Sequence, residues 1–247
     1  MRNIWIIASR EYKRYFSDWI PYTIAFVFLL VIGIFFYLNL QVVMVQPGYI
    51  PSVEIIIAPL ATMLVLITPA LTTRLLAEEQ RLGTIELLLT APVRDWELIV
   101  GKWFGGLLLL LTLVAVTLVY PLLLNQLVQP GIDQGPFISG YLGIILLCAA
   151  LIAIGVAISS FFSNQIAAFV ATLGVFIVLW WILDPIMRVV GPAGGNFELI
   201  QYLNFSDHLY ANLLRGIIDL RDVVYYLSVT ALSLFIGTIS VEVRRWR

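Results

Sequence analysis

Arg74-Leu-Leu-Ala-Glu-Glu-Gln-Arg-Leu-Gly-Thr-Ile-Glu-Leu-Leu-Leu-Thr-Ala-Pro92 is a charged, helix-prone insert lodged between two long apolar runs. Holding Arg74, Glu78, Glu79 and Arg81 at mid-bilayer would cost on the order of 10 kcal/mol, at ~2.5–3.5 kcal/mol per ionised group. The insert therefore lies outside the hydrocarbon, presented to water or to a protein. Gly83 punctuates it, Thr84 can cap a short helix through Ile85, Glu86, Leu87, Leu88 and Leu89, and Pro92 stops that helix. Glu86 falls in the first turn, where the helix dipole favours a carboxylate. Upstream, Arg74 and Arg81 are spaced to pair with Glu78 and Glu79 on a helix.

The rest of the chain explains why such an insert must be argued for at all. It is 61% hydrophobic and 12% charged, with a mean hydropathy of +0.99, whereas soluble domains carry about 25% charged residues. Six continuously apolar segments are each long enough to cross a hydrocarbon core of about 30 Å as a helix: 19–40, 55–76, 98–124, 137–162, 166–189 and 223–241. None alternates as a transmembrane barrel strand does, and no soluble domain fits between them. The first run exceeds a signal-peptide core and lacks a cleavage pattern, so it reads as an uncleaved span. The expectation is an all-α, polytopic membrane protein forming one domain.

Lys and Arg orient the bundle. Arg2, Arg10, Lys13, Arg14, Arg74, Arg81, Arg94, Lys102, Arg244, Arg245 and Arg247 fall on one side, against Arg188, Arg215 and Arg221 on the other. By the positive-inside bias both termini and the insert are cytoplasmic, and the expected location is the inner membrane of a bacterium or archaeon.

Two amphipathic pieces flank the spans. At about 100° per residue, Arg2, Arg10, Lys13 and Arg14 of residues 1–18 cluster on one side, opposite Ile4, Trp5, Ile7, Ala8, Tyr12, Tyr15 and Phe16. Such a helix would lie on the inner membrane surface; Glu11, within the apolar arc, is an unexplained exception. Before the sixth span, Asp207 could cap a helix carrying Leu209, Tyr210, Leu213, Leu214, Ile217 and Ile218 on one face, with Arg215 and Gly216 near its end. It reads as an outer gate or a lid, reached through a turn at Gly191-Pro-Ala-Gly-Gly195.

Several chemistries are excluded. Gly101-Lys102-Trp103 offers the Gly-Lys of a phosphate loop, but Trp103 replaces the magnesium-binding hydroxyl and Trp96 stands where the first glycine belongs. Ser159, Ser160 and Ser163 lie far from His208, the lone histidine, so no serine–histidine pair is expected. Gly155, Ser159 and Ser163 instead form a small-residue ladder for close helix packing, as do Gly101 and Gly105. The spans lack a mid-membrane carboxylate for ion coupling; Glu54 and Asp184 fall at solvated ends. Pro59 and Thr68-Pro69 mark a softened second span. A net charge of −1 gives no hint of nucleic-acid affinity, and the lone histidine excludes a site built on two imidazoles, so no metal site is expected.

The run Glu78-Glu79-Gln80-Arg81-Leu82-Gly83-Thr84-Ile85-Glu86-Leu87-Leu88-Leu89-Thr90-Ala91-Pro92 resembles the Glu-Glu…Gly-Thr-Leu-Glu…Leu-Leu…Pro signature of ABC-2 type transporter permeases, with Ile85 where Leu is common. Arg215-Gly216-Ile217-Ile218-Asp219-Leu220-Arg221-Asp222-Val223-Val224-Tyr225 is similar to the corresponding region of the gliding-motility and copper-maturation branch of that family. The resemblance implies a cytoplasmic coupling helix between spans 2 and 3 that docks an ABC ATPase subunit. Glu78, Glu79, Arg81, Gly83, Thr84, Glu86, Leu87, Leu88 and Pro92 would form that region, with Arg10, Lys13 and Arg14 on the interfacial helix. Leu209, Leu213, Arg215 and Gly216 would form the outer gate or lid. It also implies a second permease in a homo- or heterodimer, contact with membrane lipid, and no catalytic residue in this chain. ATP and magnesium would then belong to the partner ATPase. A subunit passing mechanical work to an extracytoplasmic partner, and a self-standing carrier or channel, are the alternatives.

Overall fold

A computed structural model describes residues 2–17, 19–45, 52–83, 93–128, 131–190 and 202–245, and all regular structure among them is helical. The elements are α1 (Arg2–Ser17), α2 (Trp19–Val45), α3 (Glu54–Thr72), α4 (Ala77–Arg81), α5 (Asp95–Thr117), α6 (Val119–Leu127), α7 (Gln134–Phe161), α8 (Gln165–Ile177), α9 (Leu183–Val190), α10 (Phe205–Tyr210) and α11 (Leu220–Arg245). Six helical stretches are long and apolar enough to cross a membrane: Pro21–Val42, Glu54–Arg81, Asp95–Leu127, Gln134–Phe161, Gln165–Ile186 and Leu220–Val243.

α7 is the axis of the bundle, with 72% of its most apolar window buried, against 17% for α2. Small residues on α7 let its neighbours approach. A Cβ on Gly155 would collide with Thr72, one on Gly140 with Ile57, and one on Gly143 would lie 2.6 Å from Leu209 Cδ1. α3, α5 and α11 pack around this axis. α2, α8 and α11 turn broad apolar faces outward, among them Phe26, Val170 and Phe235.

The second span is one helix only as far as Thr72. Pro69 has no N–H to give the carbonyl four residues back, and the Thr68 and Thr72 hydroxyls donate to the Leu64 and Thr68 carbonyls at 2.6 and 3.1 Å. The chain then passes through a turn into the five residues of α4. In the fifth span a π-helical turn, Val178–Ile182, precedes α9, and the Leu183 N–H bonds the Val178 carbonyl five residues back. Pro185, which cannot donate to the Trp181 carbonyl, gives that widening a local cause.

Two expectations are corrected. The cap before the sixth span is Asn204, whose Oδ1 accepts the Ser206 N–H at 3.2 Å, rather than Asp207. The helix it starts lasts six residues, followed by a 3₁₀ turn, Leu213–Arg215, which ends at Gly216 with φ +88°. Leu209, Leu213 and Leu214 are buried, while Ile217 and Ile218 are exposed, so the apolar residues do not share one helical face. Likewise α7 ends at Phe161 and Ser163 is exposed, leaving Gly155 and Ser159 as the packing ladder. The turn expected at 191–195 lies outside the described residues.

Candidate functional site: a buried ion network at the basic end

Lys102, on the second turn of α5, is fully buried, and Glu11 of α1 is buried with it. Its ammonium Nζ lies 2.8 Å from Glu79 Oε1 on α4 and 3.2 Å from Glu11 Oε1. An unpaired ammonium in such a place would be untenable; two carboxylates from two other helices compensate it. Arg10 extends the network outward to Glu11 at 3.5 Å and Glu79 at 3.9 Å. Arg14 stands 3.7 Å from both Glu79 and Glu78. These two arginines are half-exposed and loosely held, so the buried lysine supplies most of the attraction.

Backbone contact places the charges. A Cβ on Gly101 would lie 2.8 Å from Ile7 Cβ, and one on Gly105 would lie 2.8 Å from Glu11 Cβ and 3.0 Å from the Ala8 carbonyl oxygen. The Gly101–Gly105 ladder is therefore the track on which α1 lies along α5. Glu11, odd in the apolar arc, lies in that contact, its Cβ against Gly105, about one helical turn along α5 from Lys102. Asn3 Nδ2 donates to Glu97 Oε2 at 3.2 Å, Tyr12 and Thr112 share a hydroxyl bond at 3.0 Å, and the Tyr15 hydroxyl donates to the Leu71 carbonyl at 3.1 Å. Burial, and then the Glu11 carboxylate, hold the Tyr15 phenol well above the ordinary tyrosine range.

The root of the insert is gripped from its other side by α7. The Ala77 N–H donates to Ser159 Oγ at 2.9 Å, and Gln80 Nε2 donates to the Ser160 carbonyl at 3.0 Å. That carbonyl also accepts from Ser240 Oγ of α11 at 3.3 Å. Arg81 and Gly83 are exposed, and Gly83 has φ +68°. A residue with a Cβ would be strained there. Thr84, Glu86, Leu87, Leu88 and Pro92 lie outside the described residues.

Of the residues singled out in the sequence, Arg10, Arg14, Glu78 and Glu79 thus meet. Lys13 is on the same helix but exposed. Lys102 and Glu11, the centre of the network, were not among the expected site residues; an acid on an apolar face was the available signal. Leu209, Leu213, Arg215 and Gly216 are at the far end, where both leucines are buried under Gly143 and Arg215 is exposed.

The far end has its own polar cluster, also missed. His208 Nδ1 is 2.7 Å from Asp222 Oδ1, and Nε2 is 2.9 Å from the Tyr202 carbonyl. Asn212 Nδ2 donates to Asp222 Oδ2 at 3.0 Å. The imidazole stacks on Tyr225 with centroids 3.9 Å apart, and the Tyr226 hydroxyl donates to the Phe205 carbonyl at 2.9 Å. This ties the segment 202–212 to the start of α11. Among the described residues no three His, Cys, Asp or Glu side chains gather as a metal site.

Six apolar helices and a buried ion network at one end of the bundle define a multi-pass α-helical membrane protein. A family model described as "ABC-2 family transporter protein" matches residues 5–240. The chain belongs to the ABC-2 transporter family. No curated relative matches it.

Proposed function

We propose that this chain is the permease subunit of an ATP-driven exporter, coupling hydrolysis in a separate cytoplasmic ABC ATPase to export across the plasma membrane. Members of the family normally work with such an ATPase and are not themselves catalytic. ATP and magnesium act in the partner. The docking segment is Glu78–Pro92, which includes Arg81, Gly83, Thr84, Glu86, Leu87 and Leu88, and both termini share its cytoplasmic side. A second permease, identical or related, completes the pathway and covers part of the apolar faces that α2 and α8 turn outward.

One observation carries this reading: Glu79, at the root of the family's insert, is bound by Lys102 of α5 together with Glu11 of α1. A push on the insert therefore reaches the interfacial helix and the third span as one body. Buried, paired charges resist sliding because separating them leaves each one desolvated, at about 3–5 kcal/mol.

The test is purification of the tagged chain from its native membranes, with nucleotide-binding subunits identified by their phosphate loop. Wild type should recover such a subunit and stimulated ATP turnover. Arg81→Glu with Glu86→Lys should lose both while the permease stays monodisperse. Undiminished recovery of the ATPase by that variant refutes docking at this insert.

A further inference from the structure

A pocket of about 160 Å³ opens beside the ion network, where the end of α1 meets the junction of α3 and α4. Glu11, Arg14, Tyr15 and Ser17 form one wall, and Arg74 and Glu78 the other. One water needs about 10–15 Å³ of such space, so the pocket has room for a polar group of many atoms. Its level is that of lipid headgroups: α1 ends at Ser17, and the first candidate span starts at Pro21. Trp19 and Tyr22 are exposed at this corner, as aromatic side chains at a membrane–water interface are.

The lining carries both signs of charge. Arg14 holds Glu78 and Glu79 only at 3.7 Å, longer than an N–H···O hydrogen bond of ~2.7–3.2 Å. Its planar fork keeps the geometry to take a phosphate through two donors, and Arg74 faces the same space. Glu11 is occupied by Lys102, which leaves Glu78 as the carboxylate able to turn to a ligand. An inorganic anion would meet that carboxylate unfavourably. A headgroup with a phosphate and an ammonium a few bonds apart matches both signs, and the Tyr15 hydroxyl is committed to the Leu71 carbonyl as a fixed wall.

We propose that this pocket binds the zwitterionic phosphoethanolamine headgroup of a membrane lipid, its phosphate at Arg14 and Arg74 and its ammonium at Glu78. The lipid wedges the corner between α1, α2 and the root of the insert. The proposal is independent of export: it concerns this chain's own inner corner whichever partner docks there.

Native mass spectrometry on the full chain purified in a maltoside detergent tests it, with phosphatidylethanolamine, phosphatidylglycerol or inorganic phosphate added in separate arms. Wild type should retain about one phosphatidylethanolamine per chain, and Arg14→Gln with Arg74→Gln should reduce that at least about tenfold. Because Arg14 also belongs to the ion network, Ser17→Trp is the second variant. It plugs the rim from an exposed position, so it should abolish retention at an unchanged melting temperature. Retention unaffected by Ser17→Trp overturns the site. Phosphatidylglycerol or inorganic phosphate retained as well as phosphatidylethanolamine overturns the zwitterionic assignment.

Discussion

Lys102 and Glu11, on different helices and 91 positions apart, meet at 3.2 Å where neither is open to water. A third helix joins them through Glu79 at 2.8 Å from the same ammonium. Three segments that share no local sequence pattern are thus held by one cation.

Lys102→Met should be among the most damaging single substitutions in the chain. It removes the shortest contact to buried Glu11 and Glu79 and leaves their charges without the buried cation, a loss of about 3–5 kcal/mol. Combining it with Glu11→Gln and Glu79→Gln removes the uncompensated charges and should recover much of that loss. Thermal unfolding in detergent reads both. A triple variant as unstable as the single one would mean that packing rather than charge governs the site.

Gly105 and Gly174 should respond oppositely to the same substitution. Alanine at 105 adds a Cβ within 3.0 Å of the Ala8 carbonyl oxygen, a backbone atom that can move only with all of α1. Gly105→Ala should cost about 1–3 kcal/mol and make α1 more open to protease. Alanine at 174 meets nothing within 4 Å, so Gly174→Ala should be neutral or stabilising by up to about 1 kcal/mol. Melting temperature with limited proteolysis separates the two outcomes.

The contrast bears on what could be read in advance. Six helices follow from continuous apolar runs because bilayer thickness fixes their length, and the Gly101–Gly105 spacing announces a close neighbour. Which neighbour it would be is not encoded at that spacing. Glu11 was visible as a charge on the wrong face and Lys102 as a basic residue near a span, yet their pairing depends on folding across 91 residues. The segment after Asn204 misled for a local reason: its apolar spacing fits a helix, but Gly216 adopts a positive φ and ends the 3₁₀ turn first.

At the far end, His208 faces an acceptor at each ring nitrogen, the Asp222 carboxylate and the Tyr202 carbonyl. The Tyr202 carbonyl can only accept, so Nε2 is the donor in that bond. His208→Ala would break both bonds and leave buried Asp222 with Asn212, costing about 1–3 kcal/mol. Hydrogen exchange should rise over residues 202–212 and the start of α11, with α1 and α5 unaffected. Increased exchange spread evenly over the whole bundle would contradict a local clamp.

Glu78 and Glu79 are neighbours in sequence with different work to do. Glu79 is buried against Lys102, whereas Glu78 is partly exposed beside Arg14 at 3.7 Å. Reversing Glu79 puts a second cation beside a fully buried ammonium, so Glu79→Lys should prevent accumulation of folded protein. Glu78→Lys gives up the contact with Arg14 and sets a like charge beside it, but at a position water still reaches, so it should cost only about 1 kcal/mol, with the chain still eluting as a single species. Any loss of transport in the Glu78 variant would then report on the corner where Arg14, Arg74 and Glu78 meet rather than on the folding of the bundle. Equal expression and melting of the two variants would show that the inner face of α4 opens to water in the membrane, and the clamp on the insert would have to be abandoned.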